Sequence, residues 1–193
     1  MTARAAAVEA TKERIVGAAV EAFTSRWYDE VTIRGVAAEA GVALQTVRNH
    51  FASKEELFLA AIEQVQTGID TVRWSVAPGD VDGALATLVD DYERNGDANL
   101  RLLAVEPRVR VVQPIMAQAR AAHQAWAEHV FAAALKGLRG RARERRIAQL
   151  VVVTDVYAWK LLRRDKGLDR DQTIAAMREL VLALHDNHGG DPA

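Results

Sequence analysis

The spacing of apolar residues predicts α-helices along the chain. Between residues 11 and 25, apolar side chains recur at the i, i+3, i+4, i+7 and i+8 positions of an amphipathic helix. They are Ile15, Ala18, Ala19, Ala22 and Phe23. Proline is scarce, and alternating strand patterns bounded by turn residues are not evident. We therefore expect an all-α fold.

Two short helices are predicted around Gly41. Thr32 is a suitable N-cap for the first of them, and Gly41 suits the left-handed turn that follows it. The second covers about residues 43–51. Ser53 then caps a longer helix, because Glu56 follows at the spacing of a capping box. Two short helices joined by a tight turn form a helix-turn-helix, which places its second helix in the DNA major groove.

The rest of the chain is predicted to form a larger helical body. The fourth helix is expected to reach about Trp74, and Ala77 to Asp80 form a break that contains Pro78 and Gly79. Further helices are predicted at about 80–94, 97–105, 107–136, 141–165 and 170–186, with Pro114 kinking or splitting the third of these. We expect a helix-turn-helix domain over residues 1–52 and a second helical domain over 53–193.

Charge and composition limit how DNA could be bound. The 193-residue chain has a formal net charge of −1, and residues 1–66 contain seven Lys or Arg against nine Asp or Glu. Between Ala40 and Lys54 there is no acidic residue. DNA binding would therefore depend on a small local patch.

Several kinds of site have no sequence support. There are no cysteines, which excludes disulfides and thiolate metal sites and fits a reducing cytoplasm. No run of about eighteen apolar residues or signal peptide is evident, so we expect no membrane span and a cytoplasmic protein. No cofactor or metal is expected. An enzyme is disfavoured because we find no Gly-rich phosphate loop, HExxH, cysteine nucleophile or nucleophile elbow.

The second short helix has a face suited to reading bases. Val47 and Phe51 fall together as its buried side, so Gln45 and Asn49 lie at the centre of the opposite side. Amides can bond adenine in bidentate fashion, and arginine can bond guanine or a phosphate. The candidate DNA-binding residues are Thr32, Arg34, Gln45, Thr46, Arg48, Asn49, His50 and Lys54. The alternative is an ordinary solvated helix face.

Residues 11 to about 60 resemble the N-terminal domain of the tetracycline-repressor (TetR) family of bacterial transcription regulators. The resemblance runs through TKERIVGAAVEAF, YDEVTIRGVAAEAGV and TVRNHFASKEELF. It implies a DNA-binding regulator, most often a repressor released from a palindromic operator by a small molecule. Three positions depart from the family pattern: Trp27 replaces a glycine, Ala43 a capping serine or threonine, and Arg48 an aromatic residue that touches the DNA backbone.

The resemblance also implies that the body senses a ligand and forms a homodimer through the last two helices, about 141–186. Two apolar stripes are candidates for that interface. They are Ala148, Val151, Val152, Asp155, Val156, Trp159 and Leu162, and then Ile174, Met177, Leu180, Val181 and Leu184. The alternative is that both stripes pack inside one chain.

Four large side chains in the middle of the chain are candidates for an effector pocket: Tyr92, Met116, His123 and Trp126. Such residues suit a hydrophobic or aromatic ligand of unknown identity, although bulky residues at helical spacing are more often core. One further function stays open, a helical interaction module with degenerate DNA binding. The acidity of residues 1–66 and the missing cap at Ala43 favour it.

Overall fold

Ten α-helices form the described part of the chain, residues 3–186 of a computed structural model, with side chains described as far as Leu184. Their bounds are α1 Ala3–Ser25, α2 Ile33–Glu39, α3 Leu44–His50, α4 Lys54–Arg73, α5 Val81–Val105, α6 Val112–Val130, α7 Ala132–Leu135, α8 Gly140–Thr154, α9 Val156–Lys160 and α10 Arg170–Asp186. A 3₁₀ turn covers Tyr28–Glu30, and a π-helical turn, Leu161–Asp165, extends α9. Residues 3–186 contain no strand, so the expected all-α fold is confirmed.

The N-terminal helices pack around an aromatic cluster. The ring of Phe58 on α4 lies 4.9 Å from the ring of Phe23 and 5.1 Å from that of Tyr28, both in edge-on contact. Ile15 of α1 and Val47 of α3 are fully buried in the same core. Val47 thus anchors α3 in the core that the predicted stripe of α1 also lines, with α3 packed mainly against α2, and this burial sets which face of α3 is free.

Helix α4 belongs to both parts of the molecule. Its predicted cap is confirmed, because Oγ of Ser53 accepts a 3.1 Å hydrogen bond from the amide of Glu56. The Glu56 carboxylate accepts from the amide of Ala52 at 2.7 Å, one residue before the cap. Near its start α4 buries Leu57 and Phe58 in the N-terminal core, and it ends at Arg73 in the body. The domain division after residue 52 stays a prediction.

A second core lies between α5, α6, α8, α9 and α10. Its largest fully buried side chains are Leu85, Leu88, Trp126, Phe131, Leu150, Trp159 and Met177. Most residues of the two predicted interface stripes belong to this core or pack against it. The prediction that both stripes form a subunit interface was therefore too broad. Val152 and Leu180 remain 67% and 51% exposed.

Helix α5 is continuous, so the predicted separate helices at 80–94 and 97–105 were wrong. Gly96 lies within it and does not interrupt it. A Cβ atom at residue 96 would stand 2.5 Å from Cζ3 of Trp159, so the glycine serves close packing of α5 against α9.

The other two predicted long helices also differ from the structure. The expected helix at 107–136 begins only at Val112, which places Pro114 in the first turn, where its missing N–H costs no intrahelical bond. The expected helix at 141–165 is interrupted at Asp155. The Asp155 carboxylate accepts a 2.8 Å hydrogen bond from the amide of Tyr157 and so caps α9. None of the helices within residues 3–186 is long and apolar enough to cross a membrane.

Candidate DNA-reading face and effector cavity

The turn between α2 and α3 has the geometry that the sequence predicts. Oγ1 of Thr32 accepts a 3.0 Å hydrogen bond from the amide of Gly35 and caps α2. Gly41 has φ +64°, the left-handed conformation that ends a helix at low cost only for glycine. Ala43 provides no side-chain cap for α3, as its sequence indicates.

The exposed side of α3 presents polar side chains to solvent. We call Gln45, Arg48 and Asn49 the reading face, because all three are exposed while Val47 is fully buried. Nε2 of Gln45 donates a 3.0 Å hydrogen bond to Oδ1 of Asn49. Arg48 forms no ion pair with any residue of the described range. The face therefore offers amide donors and acceptors beside one unneutralised cation, the groups that recognise base edges and phosphates.

The other predicted DNA-binding residues surround this face. Thr46 and His50 are half-buried at its edges, and the side chain of Arg34 is exposed in the first turn of α2. Thr32 is exposed, but its hydroxyl oxygen is occupied as an acceptor by the capping bond. A phosphate near Thr32 would thus meet the hydroxyl proton and the backbone amides at the start of α2.

Lys54 is held more tightly than its sequence position suggests. Its ammonium donates a hydrogen bond to the carbonyl of Tyr28 and lies 4.2 Å from the centre of the Tyr28 ring. Partial burial lowers the pKa of Lys54. Burial, together with the neighbouring Glu55 carboxylate, raises the pKa of the Tyr28 hydroxyl to about 12. Two donors of the Lys54 ammonium remain for other partners.

A cavity of about 360 Å³ lies in the body between α4, α5, α6 and the junction of α8 with α9. The structure brings all four predicted effector residues, Tyr92, Met116, His123 and Trp126, into its wall. Within residues 3–186, no group of three or more His, Cys, Asp or Glu side chains is arranged to hold a metal ion.

One end of this cavity carries a buried ion pair that sequence reasoning missed. Nη2 of Arg73, the last residue of α4, donates a 2.5 Å hydrogen bond to Oδ2 of Asp91 on α5. Nδ2 of Asn95 donates to the other oxygen of Asp91 at 2.8 Å. The signal for Arg73 was its place on the apolar stripe of α4, four residues after Ile69. A charge on a buried stripe requires a partner.

His123 continues the polar network. Its Nε2 lies 3.1 Å from Oγ1 of Thr154, whose hydroxyl donates to the carbonyl of Leu150 at 2.8 Å. Thr154 must therefore accept from His123, so Nε2 carries the proton and Nδ1 faces Nη1 of Arg73 at 3.4 Å. Burial, and next the positive charge of Arg73, lower the pKa of His123 to about 4.

Aromatic rings frame Arg73. The guanidinium carbon lies 5.4 Å from the centre of the Tyr92 ring and 5.5 Å from that of Trp126. Nε1 of Trp126 donates to the carbonyl of Arg73 at 3.2 Å, and the Tyr92 hydroxyl donates to the carbonyl of Thr154 at 2.9 Å. The end of α4 is thereby attached to α5 and α6 through the side chain and the carbonyl of Arg73, while Tyr92 and His123 connect α5 and α6 to Thr154 of α8.

The DNA-reading region of the sequence also matches a family model. Residues 15–61 match the model described as bacterial regulatory proteins, tetR family. No curated protein sequence matches the chain.

Solved structures extend the likeness to nearly the whole fold. A transcriptional regulator from Rhodococcus sp. Rha1 shares 18% identity at a TM-score of 0.72, over 93% of this chain and 98% of its own. A tetR-family transcriptional regulator from Streptomyces coelicolor shares 19% sequence identity at a TM-score of 0.68, over 91% of this chain and 79% of its own. The multidrug binding protein EbrR, complexed with imidazole, shares 21% sequence identity at a TM-score of 0.61, over 88% of each chain.

These likenesses bear on different parts of the chain. The model match covers α2, α3 and the start of α4, which carry the reading face, whereas the structures show the fold alone. Members of this family are DNA-binding transcriptional regulators and not enzymes. Residues 15–61 are accordingly a DNA-binding domain of the tetR family, in a chain whose fold resembles that of tetR-family transcriptional regulators.

Proposed function

We propose that the protein is a repressor, which binds a palindromic operator as a homodimer and is released when a small molecule occupies the cavity. One observation carries this proposal: α4 joins the two sites. Lys54, beside the reading face, is its first residue, and Arg73, in the cavity wall, is its last. As bacterial operators lie in the cytoplasm, we propose that location too.

The length of α4 makes it a suitable lever. Its 20 residues span about 30 Å. A ligand that rearranges the contacts of Arg73 with Asp91 and Trp126 changes how the C-terminal end of α4 packs in the body. The other end is packed into the core that holds α3, so a tilt of α4 moves the reading face.

A second connection runs through α5. Leu102 and Leu103 line the cavity, and their neighbour Arg101 donates a hydrogen bond to the carbonyl of Thr24 near the end of α1. Arg108 lies 3.4 Å from Asp29 in the loop after α1. A ligand that favours one arrangement of α4 and α5 would shift the population away from the DNA-binding state. DNA should weaken ligand binding by the same factor.

The homodimer would form through the exposed apolar residues of α8, α10 and the turn after α9. Val152, Leu161 and Leu180 are 67%, 56% and 51% exposed. Unpaired apolar side chains of this size favour an interface. A two-fold dimer presents two copies of α3 to operator half-sites separated by one DNA turn or a multiple of it.

The similarity to EbrR supports the ligand-responsive part of the proposal. That protein is described as a multidrug binding protein and was solved with imidazole bound. A related fold therefore holds small organic molecules.

Operator binding can be tested with DNA from upstream of the protein's own gene. Fluorescence anisotropy should show salt-dependent binding that the Arg48→Ala and Asn49→Ala double variant loses. Failure to bind this DNA or any sequence selected from random duplexes would favour the alternative, a helical interaction module with degenerate DNA binding.

Release is tested separately. Compounds that raise the melting temperature of the free protein are added to the preformed operator complex. The proposal expects some of them to lower operator affinity in proportion to their affinity for the protein. If all saturating ligands leave operator affinity unchanged, the protein is not induced in this way.

The interface is tested by sedimentation. Val152→Asp and Leu180→Asp should shift the protein from dimer to monomer and weaken operator binding. Val72→Asp is the matched control, because Val72 is also an exposed apolar residue, 46% accessible, but lies on α4. A control that dissociates the dimer equally would place the interface elsewhere.

A further inference from the structure

We propose that the cavity selects an organic cation, an apolar body that carries an ammonium group, and that Asp70 and Asp155 bind its charge. This inference rests on the proposed ligand-responsive function and names the chemical class of the ligand. Three features of the cavity carry it: two carboxylates that no cation of the described residues neutralises, positive groups that are already paired, and aromatic rings beside the carboxylates.

Two carboxylates of the cavity wall lack an ion-pair partner within residues 3–186. Asp70 lies on α4 and Asp155 at the junction of α8 with α9, and both line the cavity. Neither belongs to any ion pair of the described residues. Because water compensates a charge less well inside a largely apolar cavity than at an open surface, a cation that enters gains more there.

Each carboxylate keeps one oxygen free for a ligand. Oδ1 of Asp70 accepts a 2.8 Å hydrogen bond from Nε2 of Gln66, and Oδ1 of Asp155 accepts the 2.8 Å bond from the amide of Tyr157. Oδ2 of each residue has no donor in the described part of the chain, and both Oδ2 atoms are accessible. Two charged acceptors are thus available for the N–H groups of an ammonium, with which they form strong hydrogen bonds.

The positive groups that line the cavity in the described part of the chain are already neutralised. Arg73 is paired with Asp91 at 2.5 Å, and Arg120 donates to both oxygens of Glu106. His123 stays uncharged at neutral pH, because burial, and next the charge of Arg73, lower its pKa to about 4. An anionic ligand would have to break one of these pairs and would face the two free carboxylates. A neutral ligand would leave both of them uncompensated.

Aromatic rings lie beside both carboxylates. Trp74 follows Asp70 by one helical turn, lines the cavity and is 45% exposed. The Tyr92 hydroxyl donates to the carbonyl of Thr154, the residue before Asp155. Burial raises the pKa of that hydroxyl, and the charge of the nearby Asp155 raises it further. A ring face next to a carboxylate attracts an organic cation and also covers its apolar body.

The rest of the wall sets the size and the apolar character of the ligand. It consists mainly of aliphatic side chains of α4, α5 and α6, among them Ile62, Ile69, Leu102 and Ile115. The volume of about 360 Å³ leaves room for a fused bicyclic ring system. A small inorganic cation would bury none of this apolar surface, whereas an amine on an apolar body gains from both parts of the wall.

A matched series of naphthalenes tests the ligand class in the free wild-type protein by titration calorimetry at neutral pH. The series is 2-naphthylmethylammonium, 2-naphthylmethanol and 2-naphthoate, which share the ring system and carry a cation, a neutral hydroxyl and an anion. The ammonium should bind about tenfold or more tightly than the alcohol, as expected of hydrogen bonds to a charged acceptor, and the carboxylate should bind most weakly. Equal or tighter binding of the alcohol or the carboxylate would overturn the proposal.

Asp70→Asn and Asp155→Asn test the two residues. Asparagine retains an oxygen for the bonds from Gln66 and from the Tyr157 amide, and it is a good helix cap, so these changes remove the charge and keep the structural contacts. Each should lower the preference for the ammonium over the alcohol to about threefold, and the double variant to about twofold or less.

Glu144→Gln is the matched control. It also removes one carboxylate, but Glu144 is an exposed residue of α8 that does not line the cavity, so the full preference should remain. A preference that survives in the double variant would show that Asp70 and Asp155 do not bind the charge. Should the double variant fail to fold, the two single variants decide the assignment by the same ratio.

These results are independent of the release experiment. Selective binding of the ammonium with unchanged operator affinity would contradict the proposed induction and leave the cavity's selectivity standing. Release of the operator by 2-naphthoate and not by the ammonium would support induction and refute the selectivity.

Discussion

Gln45 and Asn49 are joined by a 3.0 Å side-chain hydrogen bond on the exposed face of α3. Each amide orients the other, so the two can act on DNA as one unit with defined donors and acceptors. The same bond means that removal of either side chain also changes the other.

We expect Gln45→Ala and Asn49→Ala each to weaken operator binding by about 1–3 kcal/mol and to relax preference at one base pair. The double variant should lose less than the sum of the single losses, because the residues are coupled. Anisotropy titrations against operators permuted one base pair at a time measure both effects. Gln64→Ala, an exposed glutamine on α4, is the control and should bind normally. Fully additive losses would contradict the coupling.

Lys54→Ala should weaken binding to all DNA sequences alike, because we expect its ammonium to contact a phosphate of the DNA backbone. The slope of log affinity against log salt should flatten by about 1. Lys12→Ala, on the exposed side of α1, should leave the slope unchanged. A changed base preference in Lys54→Ala would mean that α3 enters the groove in another orientation. Loss of the Tyr28 contact should also lower thermal stability slightly.

Gly96→Ala should destabilise the fold although alanine is the better helix former. The new methyl would stand 2.5 Å from Cζ3 of Trp159, a fully buried ring that has little room to move. Overpacking of this kind costs about 1–3 kcal/mol, more than the gain in helix propensity. Gly68→Ala on α4 is the matched control, because its Cβ would meet nothing within 4 Å. Urea unfolding should show a loss for residue 96 and a gain of about 0.5–1 kcal/mol for residue 68.

His123 should make the free energy of unfolding depend on pH between about 6.5 and 4. Its pKa is about 4 in the folded protein and near 6.5 in the unfolded chain. As pH falls through 6.5 the unfolded state takes up a proton that the folded state does not, so stability decreases until about pH 4. The total contribution is on the order of 3 kcal/mol.

Urea unfolding of wild type and His123→Gln at a series of pH values isolates this contribution. The variant cannot titrate at this position, so the difference in stability between the two proteins should change across the window and stay constant above pH 7. An equal pH dependence in wild type and His123→Gln would contradict the burial of a neutral imidazole.

The local features of the reading face could be predicted because each depends on neighbours in the sequence. The cap at Thr32, the left-handed Gly41 and the cap at Ser53 each involve residues within a few positions. The phase of α3 follows from Val47 and Phe51. The contact of Lys54 with Tyr28 was not predictable, because it joins residues 26 positions apart.

The helices of the body were predicted less well. Separate helices were predicted at 80–94 and 97–105, whereas Gly96 lies within one helix and admits the ring of Trp159, which comes from a distant part of the chain. Met177, Val181 and Trp159 were candidates for a subunit interface, with packing inside one chain as the alternative, and one chain buries them. An apolar stripe shows that a helix face is covered and does not show what covers it.

The sequence by itself determined the all-α class, the helix-turn-helix and the side chains that α3 exposes, because helical periodicity, caps and turns are local properties. It also placed four of the residues that line the cavity. Only the tertiary structure decided that Arg73 and Asp91 meet there, 2.5 Å apart and buried. Pairing two charges from different helices requires both helices to be packed, since only the desolvated interior makes each charge depend on the other.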